Sequence, residues 1–308
     1  MDIIKKTLGI NTSHNCSFAY FENDILKKYY EEERFNKSKH FNPEFFLDYE
    51  YFVLKKFKNI NFDCVYFSTY DRDNDDKEQD IVNNILKQLN CKKWVFNKMH
   101  HEHHAMTGFY FSKFSEALVL VSDGGGEIIT PPKNTRTIWP YQTIESIHFI
   151  NNKIKTFYKL ASNHRSELFF GNSEHNFKIN ETDIKLTNKL ISGLKYSTYR
   201  SKAGFGFGEE GQLMGVAAYK NKKTNIPSEI LELAHKAQEE TLEEKINLIK
   251  KAKKYSDCKN IILSGGYHLN CLNNFKLVKH FPELNFFVDP IPYDGGTAVG
   301  VALYENYK

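Results

Sequence analysis

Residues 117–127 read ALVLVSDGGGE, a run of five apolar residues followed by Ser, Asp and three glycines. A short apolar run of this kind predicts a strand that is buried on both faces. A polar residue directly after such a strand lies at the edge of the sheet where α/β folds bind ligands. The glycines allow backbone N–H groups to approach an anion, although a tight turn that needs positive φ also explains them. We therefore expect Asp123 at the ligand-binding edge of a sheet.

The chain repeats one arrangement of strands twice. After the buried strand, residues 146–150 (SIHFI) and 154–160 (IKTFYKL) predict a hairpin across two asparagines. Near the N-terminus, strands predicted over 7–10 and 17–22 precede a hairpin strand over 25–30. Two copies of strand, polar loop and hairpin predict a duplicated unit.

Strands and helices alternate over the rest of the chain, which predicts an α/β fold with a largely parallel sheet. We expect two lobes, residues 1–116 and 117–308, that together form one catalytic domain. The further predicted elements are strands over 63–69, 93–96, 259–263 and 285–289, and helices over 79–90, 181–195, 228–254, 269–281 and 296–305.

The composition is that of a globular protein, because 41 % of the residues are hydrophobic and 26 % are charged. This excludes a disordered polyelectrolyte, and the formal charge of +4 is too small to indicate nucleic-acid binding by itself. No apolar run approaches the roughly 20 residues that span a bilayer, and the first residues lack a signal-peptide pattern. Five cysteines without a C-x-x-C pair indicate a reducing compartment. We expect a cytoplasmic protein that does not enter a membrane.

Four histidines occur in the five residues 100–104, HHEHH. On a helix, His100 and His104 lie one turn apart on the same face, so both imidazoles can bind one metal ion. The zinc-protease pattern H-E-x-x-H is absent, because residue 105 is Ala. Together with the Asp123 carboxylate, the two imidazoles form a ligand set typical of a divalent transition metal such as Fe(II). A solvated helix start that is rich in histidine is the alternative.

Two loops near the C-terminus follow predicted strands. Gly265 and Gly266 precede a predicted helix, a pattern typical of a phosphate or nucleotide site but also of an ordinary turn. Asn270 and Asn274 are four residues apart, so one helix face can present both amides to that site. Asp294 follows the next strand and is either a further carboxylate ligand or the N-cap of the last helix.

Five motifs occur in order between residues 8 and 304: LGINTSHNCS with the later EEERF and KH, HHEHHA with DGGGE, QLMGVAAY, GGYHLNCLNN, and PYDGGTAVG. Together they resemble the O-carbamoyltransferases that act on nodulation factors and on antibiotics such as tobramycin and cephamycins. The resemblance implies a two-lobed catalytic domain of the actin, sugar-kinase and heat-shock type, with ribonuclease H-like lobes and an active site between them. The tRNA threonylcarbamoyl-transfer proteins are similar.

The resemblance also implies a set of ligands and roles. A carbamoyl-adenylate, derived from carbamoyl phosphate and ATP, is expected between the lobes beside an Fe(II)-type metal. His14 and His101 are the candidate general bases, since imidazole titrates near neutral pH. By motif position, the implied metal ligands are His100, His104, Asp123 and Asp294, and the implied contacts to donor or acceptor are His14, Lys39, Gly265, Gly266, Asn270 and Asn274.

The chain departs from the family pattern at two places. The family usually has Lys before L-M-G, where this chain has Gln212, so a charge that faces a phosphate is missing. The multidomain members continue into a second domain that forms carbamoyl-adenylate, whereas this sequence ends at Lys308. We expect a separate adenylate-forming partner protein, another carbamoyl donor, or lost activity.

The acceptor is expected to be a small molecule such as a sugar, or a hydroxymethylated nucleotide or DNA base. Acceptor pockets in such proteins are built by variable loops, here 130–143 and 163–180. Basic residues at 130–136 and Lys220–Lys223 would face phosphates if the acceptor were DNA. Two alternatives stay open: threonylcarbamoyl transfer to tRNA, and a nucleotide-binding regulatory subunit without turnover.

Overall fold

The chain folds into two lobes, each built on a mixed β-sheet. The computed structural model describes residues 4–69, 75–131, 140–163, 173–220 and 222–308. The loops 130–143 and 163–180 and the stretch Lys220–Lys223 therefore lie partly outside the described residues.

The first lobe consists of strands β1 (Lys6–Asn11), β2 (Ser17–Glu22) and β3 (Ile25–Glu31), helices α1 (Glu33–Asn36) and α2 (Phe52–Lys55), strands β4 (Asn61–Phe62) and β5 (Cys64–Ser68), helix α3 (Asp75–Leu86), strands β6 (Asn90–Cys91) and β7 (Trp94–Asn97), and helix α4 (His100–Ser112). Its main sheet has the order β3-β2-β1-β5-β7. Strand β1 is antiparallel to β2 and parallel to β5. Strands β4 and β6 form a separate small sheet.

The second lobe consists of strands β8 (Ala117–Ser122), β9 (Ile128–Ile129), β10 (Tyr141–Ile150), β11 (Ile154–Ser162), β12 (Glu174–Ile179) and β13 (Thr182–Thr187), helices α5 (Ser192–Lys202), α6 (Glu210–Ala217) and α7 (Ser228–Ala252), strand β14 (Asn260–Ser264), helix α8 (Cys271–His280), strand β15 (Asn285–Val288) and helix α9 (Thr297–Tyr304). Its sheet has the order β12-β13-β11-β10-β8-β14-β15, and β9 pairs with β10.

The two sheets share one topology. In the first lobe, β1 pairs with the antiparallel strand β2, which pairs with β3, and on its other side β1 pairs with the parallel strand β5, which pairs with β7. In the second lobe, β8 pairs with the antiparallel strand β10, which pairs with β11, and on its other side β8 pairs with the parallel strand β14, which pairs with β15. The predicted duplication is confirmed, and β12 and β13 extend the second copy.

The turn between β2 and β3 shows how local sequence sets the hairpins. Asn23 and Asp24 have φ values of 47° and 61°, in the left-handed region. Asn and Asp tolerate this region better than other residues that have a side chain, and a two-residue turn with both φ values positive matches the strand twist. The predicted hairpin at Asn23-Asp24 is therefore confirmed.

The helix predicted over 181–195 is wrong. This stretch contains β13, which is parallel to β11, and α5 begins only at Ser192. Ile184 and Leu186 are buried, whereas Asp183 and Lys185 are half-buried, so the side chains alternate with the period of a strand. Pairing with β11 and β12 satisfies the backbone here, and that pairing is not visible in local sequence.

Two other helix predictions are shifted. The helix predicted over 79–90 begins at Asp75 and ends at Leu86. The helix predicted over 269–281 begins at Cys271, because the side chain of Asn270 accepts a hydrogen bond from the N–H of Asn273 and so caps the helix. Residues 266–269 form a single 3₁₀ turn before it.

Helices α4 and α9 lie between the two sheets. Helix α4 packs on β8, β14 and β15 of the second lobe, whereas α9 packs on β1, β2 and β5 of the first. The two helices touch closely, since a Cβ atom at Gly300 would lie 1.8 Å from the carbonyl oxygen of His103. They share a buried apolar cluster that both sheets contribute to. The start of each helix is thereby placed beside the end of β8, while the boundary at residues 116 and 117 stays a prediction.

Candidate metal centre

Two imidazoles and two carboxylates converge where α4, the end of β8 and the start of α9 meet. His100 and His104 belong to the first two turns of α4. Asp123 directly follows β8, and Asp294 lies three residues before α9. All four side chains are buried, and one ligand atom from each lies within 4.8 Å of the others. The structure thus brings together the four residues that the resemblance implies as metal ligands.

The spacing of these four ligand atoms suits one metal ion. The Nε2 atoms of His100 and His104 are 3.1 Å apart. Asp123 Oδ2 lies 3.3 and 3.4 Å from them, and Asp294 Oδ1 lies 3.6 and 3.7 Å from them. Ligand atoms about 2.1 Å from a common ion are about 3.0 Å apart in an octahedral site and about 3.4 Å apart in a tetrahedral one. Imidazole and carboxylate ligands suit Fe(II), Mn(II) and Zn(II).

The charges at this point also favour a cation. Burial lowers the pKa of His100, but the carboxylates of Asp294 and Asp123 outweigh burial and raise that pKa to about 10. The pKa of His104 is also raised, because the same carboxylates outweigh burial. Burial would raise the pKa of both carboxyls, yet the neighbouring imidazoles hold both below the ordinary value. Two buried carboxylates need positive charge beside them, which a divalent ion at this point would supply.

The other two histidines at the start of α4 contact different partners. His103 Nδ1 lies 2.7 Å from Ser68 Oγ, on the first-lobe sheet. His101 Nδ1 lies 2.8 Å from Ser146 Oγ, on the second-lobe sheet. Both rings are buried, and burial lowers the pKa of His101 to about 3. Of the two candidate general bases, His14 is therefore the accessible one, and the catalytic role of His101 stays a prediction.

His14 lies on the exposed side of the centre. Its Nε2 atom is 3.2 Å from Asp294 Oδ2, and 36 % of its side chain is exposed. Its Nδ1 atom lies 3.0 Å from Asn15 Oδ1, and the Asn15 amide nitrogen lies 3.2 Å from His40 Nδ1. Lys39 is exposed in the loop before His40, and its predicted contact with a ligand stays a prediction.

The glycine turn after β14 contacts Asp123. The N–H of Gly266 donates a hydrogen bond of 3.1 Å to Asp123 Oδ1, so it already has an acceptor. Gly265 has a φ of 90°, and a Cβ atom there would lie 2.3 Å from the carbonyl oxygen of Ser122. Only glycine fits this close approach. The turn therefore orients one candidate ligand, and its contact with a nucleotide phosphate stays a prediction.

The amides of Asn270 and Asn274 hold the same turn in place. Asn270 Nδ2 donates to Gln238 Oε1 at 3.0 Å, while its oxygen caps α8. Asn274 Nδ2 donates to the carbonyl oxygen of His268 at 2.7 Å. Both amides are buried and engaged with protein groups. Their predicted role as nucleotide contacts is not tested by these bonds.

Two buried lysines near the centre were not predicted. Lys159 lies 2.9 Å from Glu102 and 2.7 Å from Glu127. Lys245, on α7, forms an ion pair with Glu145. Lysine is almost never fully buried without a partner, so its usual position is at the surface. Local sequence shows no sign of these pairs, because each joins residues from different elements.

A model of the carbamoyltransferase N-terminus matches residues 47–303. This range is most of the chain, and it contains all four residues of the candidate metal centre. The chain belongs to this carbamoyltransferase family. The match agrees with the order of motifs along the sequence, while His14 and Lys39 precede the matched range.

One curated relative is longer than this chain. An uncharacterised protein of Synechocystis is 23 % identical over 235 residues, which is 68 % of this chain and 36 % of that protein. The chain therefore spans about a third of the length of this curated relative.

Solved structures show the same fold as this carbamoyltransferase family member. Full-length HypF in a phosphate- and nucleotide-bound form has a TM-score of 0.57 at 11 % identity, over 98 % of this chain and 55 % of HypF. A ROK family protein of Streptococcus pneumoniae in complex with sucrose has a TM-score of 0.53 at 13 % identity, over 97 % of this chain and 98 % of that one. At such identities the likeness shows the fold alone, which is the two-lobed α/β fold of sugar kinases and actin-like proteins, as predicted.

Among the described residues, no helix has both the length and the apolar character that crossing a membrane requires. The expected cytoplasmic location stays a prediction.

Proposed function

We propose that this chain transfers a carbamoyl group from carbamoyl-adenylate to the hydroxyl group of an acceptor. The observation that supports this best is the buried set of two imidazoles and two carboxylates, with the exposed His14 beside it, in a member of the carbamoyltransferase family. His100, His104, Asp123 and Asp294 would hold a divalent metal, which would supply Lewis-acid chemistry to a donor or acceptor oxygen. Fe(II) is our first choice, because it is the usual ion in sites of imidazole and carboxylate with open positions.

The reaction exchanges one carbon–oxygen bond for another. The acceptor oxygen attacks the carbonyl carbon of the carbamoyl group, the bond from that carbon to the phosphate oxygen breaks, and AMP leaves. The acceptor proton goes to Nε2 of His14, which is unprotonated when the ring carries its proton on Nδ1. Asn15 Oδ1 accepts a hydrogen bond from that Nδ1–H at 3.0 Å and so favours this tautomer. The acceptor hydroxyl has to approach Nε2 beside Asp294 Oδ2, which lies 3.2 Å away and stabilises the imidazolium that forms.

In this proposal, the donor and the acceptor bind next to different residues of the centre. We place the nucleotide near the Gly265–Gly266 turn, because this turn touches Asp123 and leads into α8. An adenylate-forming protein supplies carbamoyl-adenylate from carbamoyl phosphate and ATP. The acceptor is a sugar hydroxyl or a hydroxymethylated nucleotide or DNA base, and it reaches the centre from the side where His14 is exposed.

The proposal is tested with the purified chain, Fe(II) under anaerobic conditions and carbamoyl-adenylate. Release of AMP is measured by chromatography without an acceptor and then with a panel of sugars and hydroxymethylated nucleosides. Carbamoylated products are identified by mass spectrometry. We expect AMP release that depends on metal, and transfer to at least one class of hydroxyl.

One variant tests the general base, and a second variant is its control. His14→Ala should lower the rate of transfer by about 10²- to 10⁴-fold, the usual contribution of a general base. His280→Ala removes an exposed histidine at the end of α8 and should keep the wild-type rate. A folded protein with bound metal that neither releases AMP nor carbamoylates any acceptor would contradict the proposed function.

A further inference from the structure

Lys159 connects the two segments that contain three of the four candidate metal ligands. Its ammonium lies 2.9 Å from Glu102 Oε1 and 2.7 Å from Glu127 Oε1. Glu102 is on α4, between His100 and His104, and Glu127 ends the loop that begins at Asp123. One ammonium on β11 thus contacts both the helix and the loop.

A closed ring of polar contacts surrounds this lysine. The N–H of His101, in the first turn of α4, donates to Glu127 Oε2 at 3.2 Å. On the other side, Thr156 Oγ1 donates to Glu102 Oε1 at 3.2 Å. Two residues of β10 join Thr156 to His101 and so close the ring. His148 Nδ1 lies 3.0 Å from Thr156 Oγ1, and His148 Nε2 lies 2.6 Å from Ser146 Oγ. Ser146 Oγ in turn lies 2.8 Å from His101 Nδ1.

The ring is buried, so its charges cannot rely on solvent. Lys159, Glu102 and Glu127 are 7 %, 4 % and 5 % exposed. A buried carboxylate without a partner is strongly unfavourable. Each of the two glutamates must therefore stay in contact with the ammonium of Lys159. The position of the lysine therefore limits how far α4 can move from the loop after β8.

We propose that Lys159 is a positioning residue for the metal centre: it holds α4 and the loop after β8 at the separation that makes His100 and His104 face Asp123. The inference rests on the proposed function, because it assumes that these side chains bind a metal ion. Outer partners of this kind usually change metal affinity by about 10- to 100-fold when they are removed.

A purely electrostatic role of Lys159 makes the opposite prediction. Removing one buried positive charge leaves the region more negative, which attracts a divalent cation more strongly. Loss of positioning instead separates the ligands and weakens binding. The direction of the change in metal affinity therefore distinguishes the two roles.

The experiment is a titration of the metal-free protein with Co(II), followed by visible absorption, which reports both affinity and coordination. Lys159→Met should bind Co(II) at least about tenfold more weakly than the wild type, with a changed absorption band. Lys155→Met is the matched control, because Lys155 is on the same strand and pairs with Glu181 at the surface at 2.8 Å. It should leave both affinity and spectrum unchanged.

The possible results separate the inference from the proposed function. A folded Lys159→Met protein with equal or tighter Co(II) binding overturns the positioning role. A wild-type protein that does not bind Co(II) at all overturns the metal centre and, with it, this inference. A Lys159→Met protein that binds more weakly while Lys155→Met does not supports both.

A second variant keeps the test valid if Lys159→Met does not fold. The triple variant Glu102→Gln, Glu127→Gln and Lys159→Met buries no charge without a partner, so its fold is less affected. It also lacks the ammonium that joins the helix to the loop. Its three side chains carry one negative charge fewer than in the wild type, which by itself weakens cation binding, so the absorption spectrum decides the test in this variant. We expect a changed absorption band, and a wild-type band would overturn the positioning role.

Discussion

His100 and His104 differ from their neighbours in what their ring nitrogens face. Both direct Nε2 toward Asp123 and Asp294, whereas His101 and His103 contact serine hydroxyls on opposite sheets. The four-residue spacing places the first pair on one face of α4. The environment of that face, with two buried carboxylates, makes the pair candidate ligands.

Substitution of one imidazole should remove the metal. His100→Ala takes away one of four ligand atoms and leaves two buried carboxylates with less positive charge around them. We expect bound metal, measured by elemental analysis after reconstitution with Fe(II), to fall from about one ion per chain to a small fraction. His280→Ala is the control, and full occupancy in folded His100→Ala would remove His100 from the ligand set.

Asp289 should make stability depend on pH. Burial raises the pKa of this carboxyl to about 6, although Ser264 and the N–H of Ile291 donate hydrogen bonds to it. A raised pKa means that the folded state favours the protonated form. The stability that this group contributes is therefore complete below about pH 4 and is lost as pH rises through 6.

The variant Asp289→Asn cannot ionise and should escape this loss. Its free energy of unfolding should rise relative to that of the wild type as pH rises from 4 to 7. The upper limit of this gain is about 3 kcal/mol, which corresponds to the full difference between a pKa of 3.8 in the unfolded chain and about 6 in the folded one. Urea unfolding at several pH values measures this gain. Asp257→Asn, at an exposed position, is the control, and a difference that stays constant with pH would contradict the prediction.

At the scale of elements, the close contact of α4 with α9 determines where the ligands lie. Gly300 lets α9 approach the carbonyl of His103, and Gly9 lets it approach β1, where a Cβ atom would lie 1.9 Å from the carbonyl oxygen of Ala298. Both contacts are to backbone, which cannot move aside as a side chain can. The start of α9, and with it Asp294, is thereby held against the first turns of α4.

Gly300→Ala should destabilise the protein. The added methyl group must push two helices apart, and overpacking of this kind costs about 1 to 3 kcal/mol or more. Thermal and urea unfolding measure the loss. Gly215→Ala, on α6, is the matched control, because no heavy atom outside the neighbouring residues and the backbone of its own helix lies within 4 Å of its Cβ position. It should be neutral or stabilise by about 0.5 to 1 kcal/mol, and equal stability of the two variants would contradict the packing described here.

At the scale of the whole molecule, the centre joins parts of the chain that are far apart in sequence and that pack on both sheets. Helix α4 provides two ligands, the end of β8 provides the third, and the turn before α9 provides the fourth. A metal ion that binds all of them binds the folded state and finds no such site in the unfolded chain. Binding should therefore stabilise the molecule as one unit.

Metal should raise the temperature of unfolding, and a chelator should reverse the effect. At about 100 times the dissociation constant, a ligand of the folded state adds about 2.7 kcal/mol, which corresponds to about 4 °C in a chain of this size. Calorimetry with Co(II) and with EDTA measures the shift. Asp294→Asn should lose most of the rise in unfolding temperature that metal causes, whereas the control Asp257→Asn should keep all of it. An equal rise in both variants would show that the metal stabilises the chain at a site other than this centre.

Much of the fold follows from local patterns. The apolar strands, the Asn23-Asp24 hairpin and the second copy of the same order predict two similar lobes, because strand burial and turn chemistry act over a few residues. The stretch 182–187 was predicted as helix because its hydrogen-bond partner is β11, which local sequence does not identify.

The sequence by itself determined the kind and spacing of the chemistry: imidazoles four residues apart on a helix, a carboxylate after a buried strand, and motifs that match one family. Tertiary structure decided which of these groups meet. From the residues alone, Asp294 was either a ligand or an N-cap, and Lys159 was an ordinary strand residue. The carboxylate of Asp294 reaches the imidazoles, and Lys159 is buried between two glutamates, only because α4 and α9 pack between the sheets. Such meetings depend on contacts between residues far apart in the chain, and local periodicity contains no information about them.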